Sequence, residues 1–173
     1  MRIRTGMWYA TKVRYPKTME DGCKKMVTEQ YLVDALSFTQ AENAITEEMC
    51  CFANGEFYVS NLGKSAFGEI WFSDVDDDDK WYKAKLQFIT IDEKSEKEKR
   101  SNVNYLVQAK SLARALRYID EVMGKTMIDY DTIAIAETPI MDVFEHVSPK
   151  DKKEEKNDVP EYEQENAQPK DAE

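Results

Sequence analysis

The chain repeats itself. Trp8-Tyr9 opens a stretch that continues through Tyr31-Leu32-Val33-Asp34-Ala35-Leu36-Ser37 to Met49. Trp81-Tyr82 opens a second, continuing through Tyr105-Leu106-Val107-Gln108-Ala109-Lys110-Ser111 to Met123. The offset is 73 residues at the Trp-Tyr pair and 74 from Tyr31 onward, so the second copy carries one extra residue in its first connection. Between Trp8 and Met49, 12 positions are identical: Trp8, Tyr9, Lys12, Tyr31, Leu32, Val33, Ala35, Ser37, Ala41, Ile45, Glu47 and Met49. Two copies are too few for a solenoid, which needs three or more stacked units. They predict a body with pseudo-two-fold symmetry, and a length of 173 residues suits one domain or two small ones packed together.

Within each copy the hydrophobic period changes from two to 3.6. Tyr9, Val13 and Tyr15 alternate with Trp8, Lys12 and Arg14, the pattern of a half-buried strand. Tyr82, Ala84, Leu86 and Phe88 alternate in the same way with Trp81, Lys83, Lys85 and Gln87. Turn-rich residues from Pro16 to Cys23, and a charged connection from Asp92 to Lys99, lead into second strands near Met26–Ala35 and Arg100–Ala109. Helices follow. Ser37 or Thr39 caps the first, with Phe38, Ala41, Ile45 and Met49 on one stripe. Ser111 caps the second, with Leu112, Ala115, Ile119, Val122 and Met123 on its stripe and Gly124 as a left-handed stop. Short strands near 56–61 and 69–73 close the first copy, and strands near 132–137 and 141–144 close the second.

This order predicts an α+β fold: a duplicated β-β-α-β(β) unit, an antiparallel sheet with the helices on one face, and an acidic disordered C-terminal tail. Residues 1–73 form the first repeat, 74–80 an acidic linker or hairpin, 81–147 the second repeat packed with the first, and 148–173 the tail. The tail has nine acidic and five basic residues, −4 of the chain's net −10, and too few apolar side chains to offset the entropy of ordering. The linker contains Asp76-Asp77-Asp78-Asp79-Lys80, a protease-tag string, but its place between the repeats marks a native acidic loop.

Catalytic signatures are scarce. The single histidine, His146, adjoins the tail, with no second histidine or His/Cys cluster to hold zinc. Cys23, Cys50 and Cys51 form no CxxC pair and fit a reducing compartment, Cys50-Cys51 as small buried thiols at a helix end. Gly63-Lys64-Ser65 lacks the upstream glycine of a phosphate loop and reads as a turn between strands. The Asp74–Asp79 run lacks the glycine and closing glutamate of an EF-hand and reads as a solvated loop. The sequence therefore predicts no enzyme, no cofactor and no metal. It has no apolar run of about 18 residues for a membrane span and no leader at Met1–Gly6, so a cytoplasmic protein without membrane contact is expected.

The strand face opposite the expected core carries more. With Tyr9, Val13 and Tyr15 inward, Trp8, Lys12 and Arg14 point outward, and the second copy repeats this with Trp81, Lys83 and Lys85. Aromatic rings beside cations suit single-stranded nucleic acid, because bases stack on rings and cations follow phosphates. Lys110, Arg114 and Arg117 add a basic helical stripe. The alternative for the Trp-Tyr pairs is burial in the core or along the pseudo-axis. For the stripe it is an ordinary solvated helix face. Acidic tails of this kind compete with nucleic acid for a basic groove and dock partner proteins.

Trp8-Tyr9-Ala10-Thr11-Lys12-Val13-Arg14-Tyr15 and Tyr31-Leu32-Val33-Asp34-Ala35-Leu36-Ser37-Phe38-Thr39-Gln40-Ala41-Glu42 resemble a family of unknown function from Bacteroidetes, their phages and mobile elements. The resemblance covers most of residues 7–145. It implies a bacterial or phage cytoplasmic setting but no activity, and no catalytic residue is carried over. The functional expectation is a non-enzymatic single-stranded DNA binder in phage or mobile-element DNA metabolism, whose tail engages a replication or recombination protein. The alternative is a protein-interaction or inhibitor module acting on a host or phage protein.

Overall fold

The computed structural model describes residues 1–53, 56–92 and 97–145. His146 and the 148–173 tail lie outside the described residues. In chain order the elements are β1 (Arg2–Thr5), β2 (Trp8–Thr18), β3 (Lys24–Asp34), α1 (Phe38–Phe52), β4 (Tyr58–Lys64), β5 (Glu69–Phe72), β6 (Lys80–Asp92), β7 (Lys97–Ala109), α2 (Leu112–Met123), β8 (Asp129–Glu137) and β9 (Ile140–Phe144). Each repeat is therefore β-β-α-β-β, and the architecture is α+β. β1 precedes the first repeat and has no counterpart in the second.

The strands form two mixed sheets, ordered β1-β5-β7-β6-β8 and β4-β2-β3-β9, rather than one antiparallel sheet. The repeats exchange their last strands. β5, from the first repeat, pairs parallel with β7 of the second (Ile70 opposite Leu106). β9, from the second, pairs parallel with β3 of the first (Leu32 opposite Val143). Each exchanged strand packs a ring against the equivalent tyrosine of its host: Trp71 tilted against Tyr105 at 5.1 Å and Phe144 stacked on Tyr31 at 5.5 Å. The symmetry extends to the irregularities, with bulges at Lys12/Val13 and at Lys85/Leu86.

Strand parity builds four layers. One face of β2 and β3 (Val13, Tyr15, Tyr31, Val33) packs on α1 through Ile45 and Met49. The matching face of β6 and β7 (Tyr82, Ala84, Leu86, Tyr105, Val107) packs on α2 through Ala115, Ile119 and Met123. The opposite faces of the two sheets meet in a third cluster of Trp8, Leu32, Ile70, Trp81, Leu106 and Val143. The helices thus cover the two outer faces. Ser37 caps α1 by accepting from the Gln40 N–H, while the Gln40 side chain accepts from the Leu36 N–H, and Ser111 caps α2 through the Arg114 N–H.

Several local expectations change. Pro16 lies inside β2, opposite Met26. β4 pairing has ended at Arg14, so the missing N–H faces an open edge, where proline is tolerated. The turn moves to Met19–Cys23, closed by Gly22 at φ +78. Gly63-Lys64 lies in β4, not in a turn. Gly124 ends α2 in right-handed geometry (φ −63) rather than left-handed. It is the residue required there because a Cβ would sit 2.6 Å from the Asp120 carbonyl oxygen. Phe38 and Leu112, expected on the core stripes, are half exposed in the first helical turn, where Phe38 meets the sheet only edge-on through Tyr9 at 5.0 Å. Cys50 and Cys51 are exposed rather than buried, as the core side of α1 is taken by Ile45 and Met49.

Candidate nucleic-acid interface

The structure divides the predicted sheet-face residues into two groups. Trp8 and Trp81, expected outside as stacking rings, are buried at 2% and 3% exposure between the sheets. Their strand parity is as expected; what covers them is the second sheet. The tryptophan platform is therefore closed, and the pair forms the repeat–repeat interface instead. Lys12, Arg14 and Lys83 are exposed and Lys85 is half-buried, farther along the same strand faces. Each sheet thus carries a basic strip running outward from the buried tryptophan.

Backbone register names the neighbours of these cations. Lys12 lies between Gln30 and Asn61, and Arg14 between Thr28 and Tyr58. Lys83 lies between Leu106 and Ala136, and Lys85 between Asn104 and Ala134. None of these neighbours is acidic, and among the described residues none of the four cations has a carboxylate partner. Beyond Lys85 the face continues in amides: Gln87 Nε2 donates to Asn102 Oδ1 at 3.1 Å, and Arg100 donates to Gln87 Oε1 at 3.4 Å. Tyr58 is half exposed on the Arg14 face and supplies an accessible ring. It was not legible beforehand, because the bulge in β2–β4 pairing sets which residues of β4 share that face. Its counterpart in the second repeat is Asp131, so the two strips differ at their outer ends.

The helical stripe does not join this surface. Arg114 pairs with Asp78 at 3.3 Å and donates through Nε to Tyr118 Oη at 2.9 Å, and Lys110 pairs with Asp77 at 3.1 Å. Arg117 is exposed beside them, in an open depression with Ser111, Ala113 and Tyr118. The acidic linker has folded onto the start of α2 and neutralises most of the stripe. Asp78 is the anchor, 1% exposed. It accepts from Ser73 Oγ, from Tyr118 Oη at 2.8 Å and from the Lys110 N–H at 2.8 Å. Burial alone would raise its pKa, but the Ser73, Tyr118 and Lys110 hydrogen bonds and the Arg114 charge outweigh burial and hold the carboxyl below its ordinary value. Nothing in a run of four aspartates distinguishes this one.

A second polar cluster closes the β2–β3 end of the first core. Glu29 accepts from Tyr15 at 2.6 Å, Tyr31 at 2.7 Å and Lys17 at 2.9 Å. Burial opposes its charge, yet these three donors lower its pKa, and burial together with Glu29 raises that of Tyr31. In the second repeat the equivalent positions are Val103, Phe88 and Tyr105, and the cluster is apolar. No group of three or more His, Cys, Asp or Glu side chains among the described residues is arranged to hold a metal. No helix among them is long and apolar enough to cross a membrane.

The features above define a duplicated, strand-exchanged α+β sandwich with one basic strip per repeat. The chain belongs to a family defined by a domain of unknown function, DUF4494, which spans residues 7–146. No curated protein and no solved structure matches it.

Proposed function

We propose that this protein binds single-stranded nucleic acid along the helix-free faces of its two sheets. The observation that carries the reading is the set Lys12, Arg14, Lys83 and Lys85: two cations on each repeat's strip, with Lys12 and Lys85 at equivalent positions, and none with a carboxylate partner among the described residues, in a chain of net charge −10. The cations contact phosphates. The amides of Gln30, Asn61 and Asn104 offer donors and acceptors to base edges, and Tyr58 offers a ring for stacking. Binding leans on phosphate contacts more than the sequence suggested, because the two repeated tryptophans are enclosed.

Four phosphate contacts on a single strand give a slope of log K against log salt of roughly −3. The test is fluorescence anisotropy of a labelled oligo-dT with the full chain across a salt series. Replacing Lys12 and Lys83 together by Glu should weaken binding steeply and reduce that slope to roughly half. Tyr58→Leu should cost about 1–3 kcal/mol with the slope unchanged. Absence of binding at low salt, or equal affinity of the Lys12/Lys83 variant, would overturn the reading.

A further inference from the structure

The two exchanged strands end differently. β5 is covered on its outer side by β1, which runs antiparallel to it from Arg2 opposite Phe72 to Thr5 opposite Glu69. β9 is the pseudo-symmetric mate of β5: Asp142, Val143 and Phe144 face Tyr31, Leu32 and Val33 as Glu69, Ile70 and Trp71 face Tyr105, Leu106 and Val107. Beyond β9 no strand follows among the described residues. The positions equivalent to β1 in the repeat belong to the acidic linker, which is drawn onto α2 through Asp78 instead. Among the described residues the four-stranded sheet thus ends on a strand with no strand beyond it; the side-chain contacts there are local, the Val143 N–H donating to the Asp142 carboxylate at 2.7 Å and Glu145 pairing with Arg2 and Arg4 of β1. The guards of β9 are few. Ile140–Glu145 contains no lysine or proline, and the one bulge, at Met141, precedes the regular Asp142–Phe144 stretch.

We propose that the outer edge of β9 receives an extended segment of a partner protein, adding a fifth strand antiparallel to β9. β1 is the internal template for its chemistry. β1 sets Ile3 opposite Trp71, so a β-branched apolar residue fits opposite Phe144. It sets Thr5 opposite Glu69, with Oγ1 at 3.4 Å from the carboxylate, so a Thr, Lys or Arg fits opposite the exposed Asp142. Two other occupants fit worse. Antiparallel pairing of β9 with the β9 of a second copy, in the register that overlaps all of Ile140–Phe144, puts two Asp142 carboxylates opposite each other, which is unfavourable. The chain's own 148–173 segment has nine acidic residues against five basic and brings like charge to Asp142.

The experiment is a backbone-amide NMR titration of the full chain with a synthetic peptide of sequence Met-Arg-Ile-Arg-Thr-Gly, copied from residues 1–6. Shifts are expected at 141–145 and on the paired residues 31–33, with slowed hydrogen exchange at 142–144. Asp142→Lys should weaken binding about tenfold, and a peptide with Asp in place of Thr should restore it to that variant. Asp142→Asn serves if the lysine variant does not fold, and should weaken binding by a smaller factor. Shifts centred on 69–72, 58–64 or 129–137, or none at millimolar peptide, overturn the proposal. Full exchange protection of 142–144 in the free chain also overturns it, pointing to the chain's own tail or, if protection scales with protein concentration, to a second copy.

Discussion

Asp78 is the point where the linker between repeats becomes structure, and its removal has a calculable cost. The carboxylate accepts from Ser73, Tyr118 and the Lys110 N–H and pairs with Arg114, all at a position 1% exposed. Breaking a fully buried pair by deleting one partner costs about 3–5 kcal/mol. Arg114 keeps 32% of its side chain in solvent and recovers hydration, which places Asp78→Ala at about 2–4 kcal/mol. Asp78→Asn keeps one acceptor, and the two hydroxyls can turn to meet its amide, so about 1–2 kcal/mol is expected. Urea unfolding at pH 7, 5 and 3 measures both. The carboxyl's folded pKa lies below its unfolded value of 3.8. Its contribution is therefore complete at pH 7 and 5 and is lost as pH falls from 3.8 through the folded pKa. The gap between wild type and Asp78→Ala should narrow at pH 3. A cost under about 0.5 kcal/mol at pH 7 refutes the anchoring role, since that is the level of an ordinary surface change. A gap that does not narrow refutes the electrostatic account.

Three further outcomes follow from the same geometry. Trp81→Ala should destabilise by about 3–5 kcal/mol, and in the native protein all three tryptophans should emit at short wavelength, unquenched by oligo-dT, because each is 3% exposed or less. Glu29→Val strands the Tyr15 and Tyr31 hydroxyls and should cost about 1–3 kcal/mol. Adding Tyr15→Phe, which copies the Phe88 and Val103 pairing of the second repeat, should recover part of that loss in thermal melts. Deleting 148–173, which removes a net −4, should tighten oligo-dT binding at low salt and leave it unchanged at high salt; equal affinity at low salt would separate the tail from the binding face.

What could be read from the chain beforehand was local. The alternation around Tyr9–Tyr15 and Tyr82–Phe88 placed β2 and β6 and identified the faces packed on the helices. Ser111 marked the start of the second helix, and Ser37 or Thr39 that of the first, where the structure uses Ser37. Parity also put Trp8 with Lys12 and Arg14, which is where the structure has them. What covers a strand face, however, depends on the partner sheet, and no local pattern in Trp8 or Trp81 says that another sheet lies over them. The strand exchange is likewise a property of long-range pairing: the segments near 69–73 and 141–144 read as the last strands of their own repeats because nothing in four or five residues names a host. Tyr58 and Asp78 were hidden for related reasons, one by a bulge and the other by neighbours of the same type.

The exchange of β5 and β9 has a consequence for how this chain must emerge from synthesis. β3 receives its parallel partner only when residues 140–144 have been made, although its antiparallel partner β2 is complete from the start. The first repeat therefore spends most of its translation with Leu32 uncovered and a long strand edge open, the condition under which nascent chains pair wrongly. Its pairings also span most of the sequence, which slows closure. A chain stopped before Ile140 is not a smaller version of this protein but a sheet with an open edge. Quality-control proteases should treat the full-length and shortened chains as different substrates, although they share every residue of the first repeat.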